Sequence, residues 1–184
     1  MKSFVHQTIA ATTLAMLLAA NVHGDSGNPG AINFGKFPAP GKGGEFIEVH
    51  VGSNLISMVT KLAGKEEPEV AEVLGGLKEV RVNVIGVNEE NRTDLESRVK
   101  AIRAQLDTQG WERVVTAQKG SDDVGVYVKT RGSDAVQGVV VMVMEKKQAV
   151  FVNVVGDLKP EKLGMIGDWF NIEPLKKLGG TIKK

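Results

Sequence analysis

Apolar and polar residues alternate from Glu45 to Val51, which places Ile47, Val49 and Val51 on one face of a strand and Phe46, Glu48 and His50 on the other. The period then lengthens. Leu55, Val59 and Leu62 recur at helical spacing behind a possible cap at Ser53, and a second helix starts at Pro68 with Val70, Val73, Leu74 and Leu77 as its inner face. Val80, Val82 and Val84 restore strand alternation between Glu79 and Val87. Between Asp94 and Gln109, Leu95, Val99, Ile102 and Leu106 form one helical stripe. Thr93 and Glu96 are spaced as a capping box, Asp94–Arg98 and Glu96–Lys100 as i,i+4 pairs, and Gly110 as the stop.

Four strands follow, Trp111–Lys119, Val124–Arg131, Val136–Lys146 and Ala149–Leu158, separated by turns short enough to make neighbours antiparallel. The run Val139–Met144 is too continuously apolar for a strand with one wet face, so it belongs at the centre of the sheet with both faces covered. Pro160 opens a terminal helix with Leu163, Ile166 and Phe170 inward. This order predicts an α+β fold: a mostly antiparallel sheet of about six strands, with helices packed mainly on one face. The predicted domain covers residues 45–172, followed by a tail over 173–184.

Residues 1–24 carry Lys2, an apolar run from Ile9 to Ala20 and small residues at Val22 and Gly24. That is the pattern of a secretory signal peptide, and the run is too short to cross a bilayer as a helix. Residues 25–44 are punctuated by Gly and Pro and read as a flexible lead-in, with Phe34 and Phe37 available to the domain surface or to a partner. The expected mature chain is therefore exported, periplasmic or secreted, with no transmembrane segment.

Composition narrows the chemistry. Lys plus Arg total 23 and Asp plus Glu 22, so no broad field favours nucleic acid. There is no cysteine, which removes disulfides, thiolate nucleophiles, cysteine metal sites and an N-terminal lipid anchor. Cleavage after Gly24 removes His6 and His23 and leaves His50, whose nearest carboxylate on the same strand face is Glu48. One imidazole is short of a metal set. Gly35 to Gly43 lacks the spacing and the Ser or Thr of a phosphate loop, and Asp122-Asp123 lacks the alternation of a calcium loop and reads as a polar hairpin turn. Trp111 and Trp169 read as core-edge aromatics.

From about Phe46 to Ile172 the chain resembles the bacterial family known only as domain of unknown function 4252. The resemblance rests on Gly76-Leu77-Lys78-Glu79-Val80-Arg81, Gln109-Gly110-Trp111-Glu112-Arg113-Val114, Val126-Tyr127-Val128-Lys129, the Val139–Met144 strand and Val154-Val155-Gly156-Asp157-Leu158. It implies an exported or lipid-anchored envelope protein and, since some members are encoded near sigma and anti-sigma factors, a regulatory setting, and it carries over no activity or catalytic set. The chain departs from it by lacking the lipobox cysteine.

These observations favour a non-catalytic, cofactor-free domain that binds another envelope protein in a regulatory or stress-response setting. Phe34, Phe37, Trp169 and Phe170 are its candidate interaction surface, and Glu48 and His50 a candidate polar pair. Two alternatives are a carrier or sensor of a small apolar ligand lined by Met142 and Met144, and a hydrolase whose carboxylates converge only in the fold.

Overall fold

Alternating valines carry the chain into one sheet. The computed structural model describes residues 27–37 and 44–169. Strands β1 (Phe46–Gly52), β2 (Leu77–Gly86), β3 (Glu112–Lys119), β4 (Asp122–Arg131), β5 (Ala135–Met144) and β6 (Gln148–Leu158) lie in the order β1-β2-β6-β5-β4-β3. All neighbours are antiparallel. Strands β3 to β6 are a meander closed by short turns, and β2 adds to the free edge of β6. Helices α1 (Ser53–Ala63) and α2 (Pro68–Gly76) join β1 to β2, and α3 (Arg92–Thr108) joins β2 to β3. A 3₁₀ turn at Pro160–Lys162 leads into α4 (Leu163–Trp169).

The sheet has two apolar layers. On one face Val80, Val126, Val139, Val141, Val152 and Val154 pack with Ile56 of α1, Val73 of α2 and Leu163 of α4. On the other, Tyr127, Val140, Met142 and Phe151 pack with Leu95, Val99, Ile102 and Leu106 of α3. Three of the four described helices thus share a face, as expected, while the longest lies opposite. β5, flanked by β6 and β4, is buried from both sides as its unbroken apolar run requires.

Local expectations at two helix starts are corrected. Neither Ser53 nor Thr93 caps: α1 begins after Gly52 and α3 after Asn91, without a side-chain cap bond. At α3 an asparagine pair does the work. Asn88 and Asn91 each donate a backbone N–H to the other's Oδ1 at 2.9 Å, and Asn91 Nδ2 donates to the Gly86 carbonyl at 2.8 Å. This ties the loop to the end of β2, and the helix starts ahead of Thr93. Arg98 does not serve Asp94. Its guanidinium donates to the carbonyls of Phe34 (2.6 Å) and Lys36 (3.0 Å), while Glu96 lies 3.7 Å from Arg92. Gly110 stops α3 as expected, with φ at +71°, a left-handed conformation that glycine takes without strain.

Residues 27–37 require a larger correction, because they are part of the core rather than a flexible lead-in. Ala31, Ile32 and Phe34 are buried. The cause is Asn153 on β6, fully buried, whose Nδ2 donates to the carbonyls of Gly30 (3.0 Å) and Val139 (3.2 Å) and whose Oδ1 accepts the Ile32 N–H at 2.9 Å. Gly30 lies directly against Gly138 of β5, where a Cβ on either glycine would collide with backbone. A segment without periodicity is seated by one amide and two missing side chains.

Candidate functional site

β1 is an edge strand, and its alternation does not put a whole face into the core. Val51 packs against the buried layer, but Ile47 and Val49, on the same face, are 44% and 42% exposed. The helix that follows repeats the theme. Ile56 is the buried contact of α1, whereas Leu55, Met58, Val59 and Leu62, at i, i+3, i+4 and i+7, are 43% to 69% exposed. The stripe expected to face the core faces out. Helix α1 is apolar on two sides, and Met58, between Leu55 and Leu62, is the sequence signal that marks the second side.

The opposite face of β1 carries Phe46 and the polar Glu48 and His50. The register sets His50 across from Arg81 and Glu48 across from Asn83. His50 Nε2 lies 2.7 Å from Glu79 Oε1, and the same carboxylate oxygen accepts from Arg81 Nε in a short contact. Glu79 is buried and His50 is exposed. The sequence paired His50 with Glu48; antiparallel pairing gives it Glu79 from the neighbouring strand instead, and Glu48 stays on the same face farther along β1. Two shallow grooves flank the cluster, one of about 350 Å³ beside Asn28, Ser53 and Lys78, the other of about 300 Å³ beside Glu48 and Asn83. An imidazole on a carboxylate can take up a proton. Here the carboxylate is already matched by Arg81, which makes the cluster an ion-pair network at a sheet edge.

The four aromatics named as an interaction surface separate. Phe34 is buried, with its ring centroid 5.7 Å from that of Phe151, so it is core. Phe37 is half-buried, 4.9 Å from Phe151, with the Arg98 guanidinium 4.7 Å above its ring. Both hold the N-terminal segment down, and the reason is Phe151, which offers them a fully buried partner. The side chain of Trp169 and all of Phe170 lie outside the described residues, as do the segments 1–24 and 173–184. Trp111 is buried as a core-edge aromatic should be. The hairpin turn itself is Gly120-Ser121, and Asp122 and Asp123, expected in that turn, are the first paired residues of β4, where Asp123 accepts from Arg103 at 2.7 Å.

Met142 and Met144 are buried in the same apolar layer as Leu106 and Phe151. A cleft of about 870 Å³ lies elsewhere, between residues 33–35 and α3, rimmed by Asn33, Asp94, Arg98, Gln105 and Gln109 over a floor that includes Ile85 and Ile102. Among the described residues, no group of three His, Cys, Asp or Glu is placed to hold a metal ion. A carboxylate that departs clearly from its ordinary range, Glu72, is held low by surface bonds to Lys159 (2.7 Å) and Lys162 (3.1 Å), which tie α2 to the 3₁₀ turn.

Tyr127 supplies a test of the buried layer. Burial pushes its phenol above the usual value, outweighing the opposing pull of the nearby Arg113 and Arg103. A raised phenol pKa adds stability that is present below the unfolded value of about 10 and is lost as pH rises through the folded one. Tyr127→Phe is therefore expected to change stability by no more than about 1.5 kcal/mol at neutral pH, since at most one bond to Arg113 is lost, and to flatten the alkaline fall. Urea unfolding at neutral pH and above pH 10 checks both parts.

The architecture defines an α+β domain: a six-stranded antiparallel sheet with helices on both faces and a polar cluster at one edge. The family model described as "Domain of unknown function (DUF4252)" matches residues 42–166, and the chain belongs to that family. No curated protein and no solved structure matches it. Among the described residues no helix is long and apolar enough to cross a membrane.

Proposed function

We propose that this chain is an exported, non-catalytic binding domain that docks another envelope protein through the outer stripe of α1, in the regulatory or stress-response setting the family resemblance implies. The observation that carries it is the exposed row Leu55, Met58, Val59 and Leu62. Four large apolar side chains at helical spacing on one surface helix make a face suited to a partner's apolar helix, packed ridge into groove. Balanced charge fits recognition by shape and apolar contact. In the polar cluster at His50 the Glu79 carboxylate is already engaged by His50 and Arg81.

The test is crosslinking and recovery of the tagged chain from its native envelope fraction, beside Met58→Ser/Leu62→Ser. Recovery of one specific partner, reduced at least about tenfold in the double variant, supports the reading, since losing two interface anchors at more than about 1 kcal/mol each predicts that much. Equal recovery by both chains overturns it. Both substituted residues are exposed, so the fold is expected to survive, as a thermal melt would show.

A second reading, a small-ligand carrier, draws on the cleft beside α3. It is the weaker one, because the apolar floor of that cleft, including Ile85 and Ile102, is already sealed. Native mass spectrometry of the purified chain tests it through any copurified mass.

A further inference from the structure

The two edges of the sheet are built differently. β3 has a register irregularity between Arg113 and Val115 and carries Glu112, Arg113 and Lys119, the devices that keep an edge strand from pairing with another chain. β1 has no such irregularity, and of those charges it carries only Glu48, beside His50. Its pairing with β2 runs without a shift over all seven residues, Phe46 to Gly52, and it contains no lysine and no proline. Residues 46–50 are exposed.

The outward backbone groups of β1 follow from its inner ladder. Gly86 N–H donates to the Glu45 carbonyl at 2.8 Å, so residue 45 bonds inward to β2. By the alternation of an antiparallel ladder, 47, 49 and 51 also bond inward, while Phe46, Glu48 and His50 present N–H and C=O to the open edge. A second antiparallel strand can bond to those three.

We infer that the partner at this edge is a second copy of the chain, joined through β1 paired with β1 about a two-fold axis at Val49. The strand is self-complementary in that register. Glu48 falls opposite the partner's His50 and His50 opposite the partner's Glu48, both as hydrogen-bonded pairs, and Val49 meets the partner's Val49 across the axis. Ile47 meets the partner's Val51, so exposed apolar side chains cover one another on the other face. Moving the axis to Glu48 sets two carboxylates face to face, and moving it to His50 sets two imidazoles face to face. An axis at Ile47 sets Glu48 opposite Phe46 and one at Val51 sets His50 opposite Gly52, so the axis at Val49 is favoured as the one that pairs Glu48 with His50 reciprocally. Each His50 then lies between its own Glu79 and the partner's Glu48, the role that the otherwise unused Glu48 lacks in one protomer. The two sheets become one, and both α1 helices lie on the same side of it. This goes beyond the α1 docking surface and does not depend on it.

The first measurement is sedimentation velocity of the mature chain up to about 100 μM, a range that reveals even a weak dimer. A dimer is expected, and Val49→Lys, which brings two ammonium groups together on the axis, is expected to weaken it at least about a hundredfold, with an unchanged thermal melt at concentrations where both chains are monomers. The register has its own test, because the chain has no cysteine. Facing Cα atoms at a non-hydrogen-bonded pair are about 4.5 Å apart, within disulfide reach, so Val49→Cys is expected to form a covalent dimer under mild oxidation and Glu48→Cys far less. A wild-type chain that remains a monomer overturns the inference, and so does Glu48→Cys crosslinking as well as Val49→Cys. Neither result bears on recovery of an envelope partner through α1.

Discussion

Asn153→Leu is expected to lower stability by about 3 kcal/mol and to release the N-terminal segment. The side chain is fully buried and serves three backbone groups, the Ile32 N–H and the carbonyls of Gly30 and Val139. Leucine keeps the volume and supplies none of the bonds. A buried donor or acceptor left alone costs about 1–3 kcal/mol, and at least the Ile32 N–H and the Gly30 carbonyl lose their partner. For a chain of this size about 1 kcal/mol moves the melting temperature by about 2–4 °C, so a fall on the order of 10 °C should be seen by calorimetry. Hydrogen exchange separates this from a general loss of packing. Amides of residues 30–34 should lose protection well before those of β5 and β6, because the segment can leave while the strand ladder stays. Uniform loss across the sheet would show that Asn153 is not the fastener.

Most of the sheet was legible in the sequence because its signal is local. Val80, Val82 and Val84 alternate against polar neighbours, and the unbroken Val139–Met144 run demanded cover on both faces; each strand lies within a few residues of its expected place. The stripe of α3 was equally plain and is wholly buried. Residues 27–37 were not legible. Their place depends on Asn153, more than a hundred residues away, and on two glycines that let the segment and β5 approach, and neither leaves a periodic trace. A Gly- and Pro-rich stretch reads as a loop whether it is solvated or seated.

The site was half legible for the same reason. Alternation correctly put His50 on the face away from Val51, but its carboxylate arrives by strand register, which no spacing within β1 encodes. Glu79 looked like ordinary strand polarity. The outer stripe of α1 was misread in the other direction, since a stripe at i, i+4 and i+7 normally marks the buried side of a helix. Ile56 is the fully buried inner contact, while four apolar neighbours remain in water. That conflict between local pattern and global placement is what an interaction face is expected to leave behind.

Phe151→Ala is expected to cost about 3–5 kcal/mol, a large share of the stability of an ordinary domain. Phe151 is fully buried on β6 between the sheet and the N-terminal segment, and both Phe34 and Phe37 pack on its ring. Removing the ring opens a cavity that the strand cannot close, because its neighbours Val150 and Val152 face the other layer. It also takes away the seat that keeps Phe37 beneath Arg98. Urea unfolding should show the loss in the midpoint with little change in slope. The double variant with Asn153→Leu is the sharper measurement. If both side chains act by holding residues 27–37, the second substitution acts on a segment already released, and the combined loss should fall short of the sum by about 1 kcal/mol or more. Strict additivity would mean that Phe151 stabilises the sheet and α3 alone, and that Asn153 holds the segment without its help.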